Sequence, residues 1–224
     1  VNITVAEFTR SIDLAGVLVN AVLGGIVARE FRMDPVGFVA LAILSGLGGG
    51  LIRDTLLQHG PPVALTDTLY VIVAIAGAVV AFLIPLGGRM WSLTYPVVDA
   101  LALGTWAVVG TEKTLSVGLT WLPAILLGTI SAVGGGALRD LAVNRTPAIF
   151  GGNTLYATCA VAASVTVVVF SRCGLASAGT LLGVVVGAGW CLLARWRGWQ
   201  LRQSPEWEYR ATRRKIRRPK NSGP

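Results

Sequence analysis

The sequence predicts an all-α membrane protein: seven transmembrane helices, built as an inverted 3+3 repeat with a seventh helix appended. Three observations carry that prediction. Of the 224 residues 54% are hydrophobic and 13% charged, against about 25% charged in an ordinary soluble domain, and the mean hydropathy is +0.68. Seven apolar segments can be marked, and a bilayer core about 30 Å thick needs roughly 20 apolar residues per helix, so no soluble domain fits beside them. The first half of the chain also recurs in the second.

The segments run over 11–28, 36–58, 68–86, 93–110, 121–143, 154–171 and 175–194. Arg10 precedes the first, as in a signal peptide, but no A-x-A type cleavage site follows and the segment has a counterpart later, so it is read as a helix. The second and fifth are the longest, and each holds three consecutive glycines, Gly48–Gly50 and Gly134–Gly136. The expected organisation is a segment 1–10, a first repeat over 11–86, a second over 93–171, the seventh span over 175–194, and a basic tail over 195–224.

A shift of 86 positions lays SGLGGGLIRD (Ser45–Asp54) over SAVGGGALRD (Ser131–Asp140). Without a gap, Pro61 then lies over Pro147 and Thr68-Leu69-Tyr70 over Thr154-Leu155-Tyr156; ten of the 26 positions from Ser45 to Tyr70 are identical. Asp13 falls over Asp99 and Gly24 over Gly110 at the same offset. Three spans per copy is an odd number, so the second copy inverts. Inverted repeats are a plan of transporters and channels whose solute path lies at the repeat interface.

Of 19 Lys/Arg, ten lie from Arg195 onward against Glu206 and Glu208, which leaves nine basic and nine acidic residues in the rest of the chain. Basic residues stay cytoplasmic, so the C-terminus is expected inside and the N-terminus outside. The tail (Arg210–Lys220) suits an anionic leaflet, where each basic residue gains about 1 kcal/mol; no nucleic-acid role is expected. Trp196, Trp199 and Trp207 fit an interfacial belt. Cys159, Cys173 and Cys191 show no metal-ligand spacing, no Walker, G-x-S-x-G or H-E-x-x-H motif is present, and neither a cofactor, a structural metal nor an enzyme activity is expected.

Each triplet sits about 12 residues into its span, roughly 18 Å at 1.5 Å per residue, near mid-membrane. Three glycines at about 1 kcal/mol each against alanine invite a kink or an unwound turn. Freed carbonyls are tolerated there only when they face protein or water. Gly48, Gly49, Gly50, Gly134, Gly135 and Gly136 are therefore candidate pore or binding residues, with transient K⁺ or Na⁺ near them; the blander account is close helix packing. Arg53-Asp54 and Arg139-Asp140 follow. Ionisable groups inside spans usually mark a functional path, and adjacent helix residues do not face each other. The expected pairs are Arg53–Asp13 and Arg139–Asp99, with Asp54 and Asp140 left at the mouths; alternatively these charges only lock each repeat. Ser45 and Ser131, one turn before each triplet, would replace part of an ion's hydration shell or bond the carbonyl one turn back. Tyr70 and Tyr156 read as interfacial anchors, and His59 has no partner cluster.

The doubled GGG-x-x-RD, the proline seven residues after each Asp, the T-L-Y opening of the third span and the seventh helix resemble the prokaryotic branch of the trimeric intracellular cation (TRIC) channels. That branch overlaps the UPF0126 group of bacterial membrane proteins, described as glycine transporters. The resemblance covers about 11–195. It implies a homotrimer with a pore in each protomer, lined by kinked second and fifth spans (36–58 and 121–143) and passing K⁺ and Na⁺. The basic phosphoinositide motif of the animal members is not found, since Glu112-Lys113 is placed in a loop and position 139 is the arginine of R-D. Three functions stay open: a cation channel, a secondary transporter of glycine or another small zwitterion, and a structural membrane protein.

Overall fold

A computed structural model describes residues 5–84, 89–150 and 155–199. All of its regular structure is helical: α1 (Val5–Glu30), α2 (Pro35–Leu57), α3 (Val63–Thr66), α4 (Thr68–Leu83), α5 (Arg89–Ser116), α6 (Trp121–Ala142), a 3₁₀ turn at Ala148–Phe150, α7 (Tyr156–Arg172) and α8 (Ala176–Arg197). Five are long and apolar enough to cross a membrane: Arg10–Glu30, Pro35–Leu57, Leu93–Ser116, Trp121–Ala142 and Ala176–Arg197. Thr68–Leu83 and Tyr156–Arg172 are shorter apolar helices.

Local sequence sets the helix ends. Asp34 accepts a 2.8 Å hydrogen bond from the Gly37 amide and Pro35 opens α2, the N-cap and N1 arrangement that satisfies orphan amides. Asp67 caps α4 through the Leu69 amide at 3.1 Å. At the other end of α4, the Arg29 guanidinium donates to the carbonyls of Ala81 and Phe82 at 2.5 and 2.8 Å.

The interior is made of small side chains. Ala21, Ala42, Ala74, Ala78, Ala107, Ala132 and Ala163 are buried, whereas Leu83, Leu93, Leu122 and Val185 are exposed. In lipid there is no hydrophobic drive between helices, so close backbone approach through small residues supplies the packing and bulky apolar groups face outward. The two halves repeat this packing: a Cβ on Gly24 (α1) would lie 2.8 Å from the Ser45 Cβ on α2, and one on Gly110 (α5) 2.7 Å from the Ser131 Cβ on α6.

The two repeats meet where α2 packs against α6. A Cβ on Gly49 would lie 2.2 Å from the Ser131 carbonyl oxygen, and a Cβ on Gly135 would lie 2.2 Å from that of Ser45. The expected unwound turn is not there: both helices run as unbroken α-helix through their triplets. An unpaired peptide group in a membrane costs several kcal/mol, more than the roughly 1 kcal/mol that each glycine forfeits, so the ladder stays closed. The second difference concerns the fourth span, which continues to Ser116. Glu112 and Lys113 therefore lie in its last turn, not in a loop. The expectations for residues 1–4 and for the tail beyond 199, with Trp207 and Arg210–Lys220, lie outside the described residues.

Candidate functional site

Polar residues enter the bundle interior from both ends of the α2–α6 contact. Two small cavities lie there, of about 30 and 50 Å³, each large enough for a water or two. The first is lined by Asp13, Gly50, Arg53, Asp54, Tyr70, Trp106 and Ser131, among others. Asn20, Tyr95, Asp99, Gly136, Arg139, Asp140, Tyr156 and Arg195 line the second. The two share no lining residue. Each abuts a wider vestibule: one of about 450 Å³ that also touches Asp13, Arg53 and Tyr70 and adds Arg10, Asp67, Glu112 and Lys113, and one of about 300 Å³ that also touches Tyr95, Arg139 and Asp140 and adds Glu30 and Arg145.

The linings correspond across the 86-residue offset. Asp13, Gly50, Arg53, Asp54 and Tyr70 are matched by Asp99, Gly136, Arg139, Asp140 and Tyr156. Even Trp106, which reaches the first cavity from the second half, is matched by Asn20, which reaches the second from the first. The third glycine of each triplet faces open space, since a Cβ on Gly50 or Gly136 would meet only the guanidinium at 3.7 or 3.8 Å. The first two of each triplet are packing residues: besides the Gly49 and Gly135 contacts, a Cβ on Gly48 would lie 3.3 Å from the Gly135 Cα and one on Gly134 3.1 Å from the Gly49 Cα.

The charge pairing differs from the sequence expectation. Arg53 does not reach Asp13; its Nε donates to Asp54 Oδ1 at 2.8 Å and its Nη1 to Ser131 Oγ at 3.1 Å. Arg139 does not reach Asp99; its Nε and Nη2 donate to Asp140 Oδ1 at 2.9 and 2.8 Å. The rule that neighbours on a helix diverge holds for short side chains, whereas a guanidinium on a long stem folds back onto the next carboxylate. Asp54 is accordingly withdrawn from its mouth, whereas Asp140, though paired, still lines the wider vestibule. Asp54 is 4% exposed and also accepts from Lys113 Nζ at 2.8 Å and the Val63 amide at 3.0 Å.

Asp13 and Asp99 are held instead by the repeated tyrosines. Tyr70 donates its hydroxyl to Asp13 Oδ2 at 2.6 Å and Tyr156 to Asp99 Oδ1 at 2.9 Å. Those phenols are inward-facing partners and not interfacial anchors. Trp106 Nε1 donates to Asp13 Oδ1 at 3.0 Å, and Arg195 Nη2 donates to Asp99 Oδ2 at 2.5 Å. Ser131 serves Arg53, whereas the Oγ of Ser45 is fully buried and makes no hydrogen bond; neither serine bonds the carbonyl one turn back. Sequence reasoning missed Lys113, Trp106, Tyr95, Asn20 and Arg195. For the tyrosines the signal was present, because Tyr70 stands 57 residues after Asp13 and Tyr156 stands 57 after Asp99. Lys113 and Arg195 have no counterpart at the offset, where Val27 and Val109 stand.

The glycine transporter family model matches residues 10–85 and 96–172, two stretches whose starts are 96 − 10 = 86 residues apart. A UPF0126 membrane protein of Deinococcus radiodurans is 36% identical over 162 residues, covering 71% of this chain and 74% of its own. The UPF0126 inner membrane protein YadS of Escherichia coli is 33% identical over 150 residues, covering 66% and 71%. The crystal structure of the TRIC trimeric intracellular cation channel orthologue from Rhodobacter sphaeroides superposes with a TM-score of 0.80 at 28% identity, covering 86% of this chain and 99% of that one. The chain is thus an all-helical membrane protein that belongs to the UPF0126 glycine transporter family and shares its fold with the TRIC cation channels.

Proposed function

We propose that the chain is a channel for monovalent cations, K⁺ and Na⁺, with a path in each protomer that runs from one vestibule to the other past the α2–α6 contact. One observation carries this: two charge-lined, water-sized cavities, built from equivalent residues, approach opposite ends of that contact. The arginines of the path are neutralised in place, Arg53 by Asp54 and Arg139 by Asp140, which removes the repulsion that bare guanidinium groups would exert on a cation. Gly50 and Gly136 contribute open space, Ser131, Arg53, Asp54, Arg139 and Asp140 the polar lining, and Gly48, Gly49, Gly134 and Gly135 the closed constriction between; Ser45 lies at its edge. In this reading the path is shut at the glycines, which the close approach of Gly49 and Gly135 to the facing carbonyls supports.

In this account the seven apolar helices all span, α4 and α7 included, and the second repeat is inverted with respect to the first. The N-terminus lies outside and the basic tail on the cytoplasmic face of a prokaryotic inner membrane, against anionic lipid. The protomer assembles as a homotrimer, as the name of the structural relative says of that protein, and has no enzymatic activity. A second account is favoured by a different observation. The first cavity holds a carboxylate, Asp13, and a guanidinium, Arg53, complementary to a small zwitterion, and the matching family is described as glycine transporters.

Reconstitution into liposomes separates the two. K⁺ flux that dissipates an imposed potential, without saturable glycine uptake, is the expected outcome. Saturable glycine uptake coupled to an ion gradient would replace the channel account by the transporter.

A further inference from the structure

Asp13 and Asp99 are equivalent carboxylates, yet only one of them holds a cation. At Asp99 that cation is part of the protein: the Arg195 guanidinium, delivered by the last turn of α8, bonds Oδ2 beside the Tyr156 hydroxyl. Helix α8 lies outside the repeat, so the first half of the chain has no helix to deliver a counterpart. At Asp13 the phenol bond is kept, and the place of the guanidinium is taken by a neutral donor, the Trp106 indole.

The bases around Asp13 are committed elsewhere. Arg53 and Lys113 both pair with Asp54, and Arg10 pairs with Asp67 at 2.6 Å. Among the described residues Asp13 makes no ion pair. A carboxylate accepts about four hydrogen bonds or ligands, and Tyr70 and Trp106 use two. A partly buried carboxylate in a membrane interior that is held by neutral donors alone, with no direct ion pair, is costly. Its remaining lone pairs lie on a cavity that the wider vestibule adjoins.

We infer that Asp13 is a binding site for a hydrated or partly hydrated alkali cation, the mobile equivalent of the tethered Arg195 cation at Asp99. The ligands beside it are oxygens: the Tyr70 hydroxyl, whose lone pairs stay available, and the water that the cavity admits. A divalent ion would require several carboxylates, and among the described residues no group of three His, Cys, Asp or Glu gathers. This site deepens the channel account and rests on it only for the route by which the ion arrives.

The test is an equilibrium binding measurement on the full-length protein in detergent. K⁺ replaces N-methylglucamine at constant ionic strength, and the melting temperature is followed. Wild type is expected to show a saturable rise with K⁺, and Asp13→Asn to weaken the apparent K⁺ affinity at least tenfold. Arg195→Gln frees Asp99 and is expected to add a second saturable phase, which covers the case in which the Asp13 variant does not fold. A K⁺ response unchanged in Asp13→Asn, or no second phase in Arg195→Gln, would overturn the site. Flux in liposomes is read in parallel: Asp13-dependent binding without flux retains the site and removes the channel account, whereas flux with Asp13-independent binding does the reverse.

Discussion

The cavity beside Arg53 and the cavity beside Arg139 have the same parts and different charge balances. In the first, Asp54 takes two cations, Arg53 and Lys113, while Asp13 has only neutral donors. In the second, the cations are shared out, Arg139 to Asp140 and Arg195 to Asp99. Asp13, Asp54, Arg53 and Lys113 at one end, with Lys113 reaching in from the vestibule, and Asp99, Asp140, Arg139 and Arg195 at the other are two carboxylates and two bases each. The repeated residues set the geometry, and the unrepeated ones, Lys113, Trp106 and Arg195, set where the charge lies. Helix α8 acquires a role from this contrast: it brings to Asp99 the cation that the second repeat lacks. A further difference sits at the crossing, where Arg53 bonds Ser131 of the opposite repeat while Ser45, the equivalent acceptor for Arg139, has no partner.

The comparison can be broken at its shared element first. Gly49→Leu and Gly135→Leu each force a side chain against a carbonyl oxygen 2.2 Å from the Cβ position. Overpacking costs about 1–3 kcal/mol and more where the clash is with backbone, and thermal unfolding in detergent should show losses of similar size for the two. Next comes the charge. Removing one member of a buried pair costs about 3–5 kcal/mol. Asp54→Asn strands two cations, so it should unfold at a lower temperature than Asp140→Asn, which strands one. The smallest contrast is at the phenols. A hydrogen bond to a charged group contributes about 1.5–3 kcal/mol, and Asp99 keeps Arg195 when its tyrosine is cut back. Tyr70→Phe should therefore destabilise more than Tyr156→Phe in the same assay, and equal losses would mean that the indole of Trp106 holds Asp13 as firmly as a guanidinium holds Asp99.

Much of the fold could be read from the residues, because hydropathy and the 86-residue offset are properties of the chain alone. The equivalence of Gly48–Gly50 and Arg53-Asp54 with Gly134–Gly136 and Arg139-Asp140 followed from that offset. What was lost was tertiary. The glycine triplets look like helix breakers until the facing backbone is known, since close packing and a low-dielectric surround keep the ladder intact. The arginines were paired with the wrong carboxylates because helix-face arithmetic ignores the reach of a guanidinium. Tyr70 and Tyr156 were legible in principle from their fixed distance to Asp13 and Asp99. Lys113 was hidden by ending the fourth span too early, and Arg195 by treating the basic residues after the last apolar run as tail.

The claim that a path enters from opposite faces and narrows at the glycines is tested most directly by thiol labelling. Gly50→Cys and Gly136→Cys both place a small side chain in open space beside a guanidinium, in a background where the exposed Cys173 is replaced by serine. In sealed, oriented vesicles a small membrane-impermeant thiol reagent should modify Gly50→Cys from one side only and Gly136→Cys from the other side only. Labelling of both from the same side, or of neither from any side, would contradict the account.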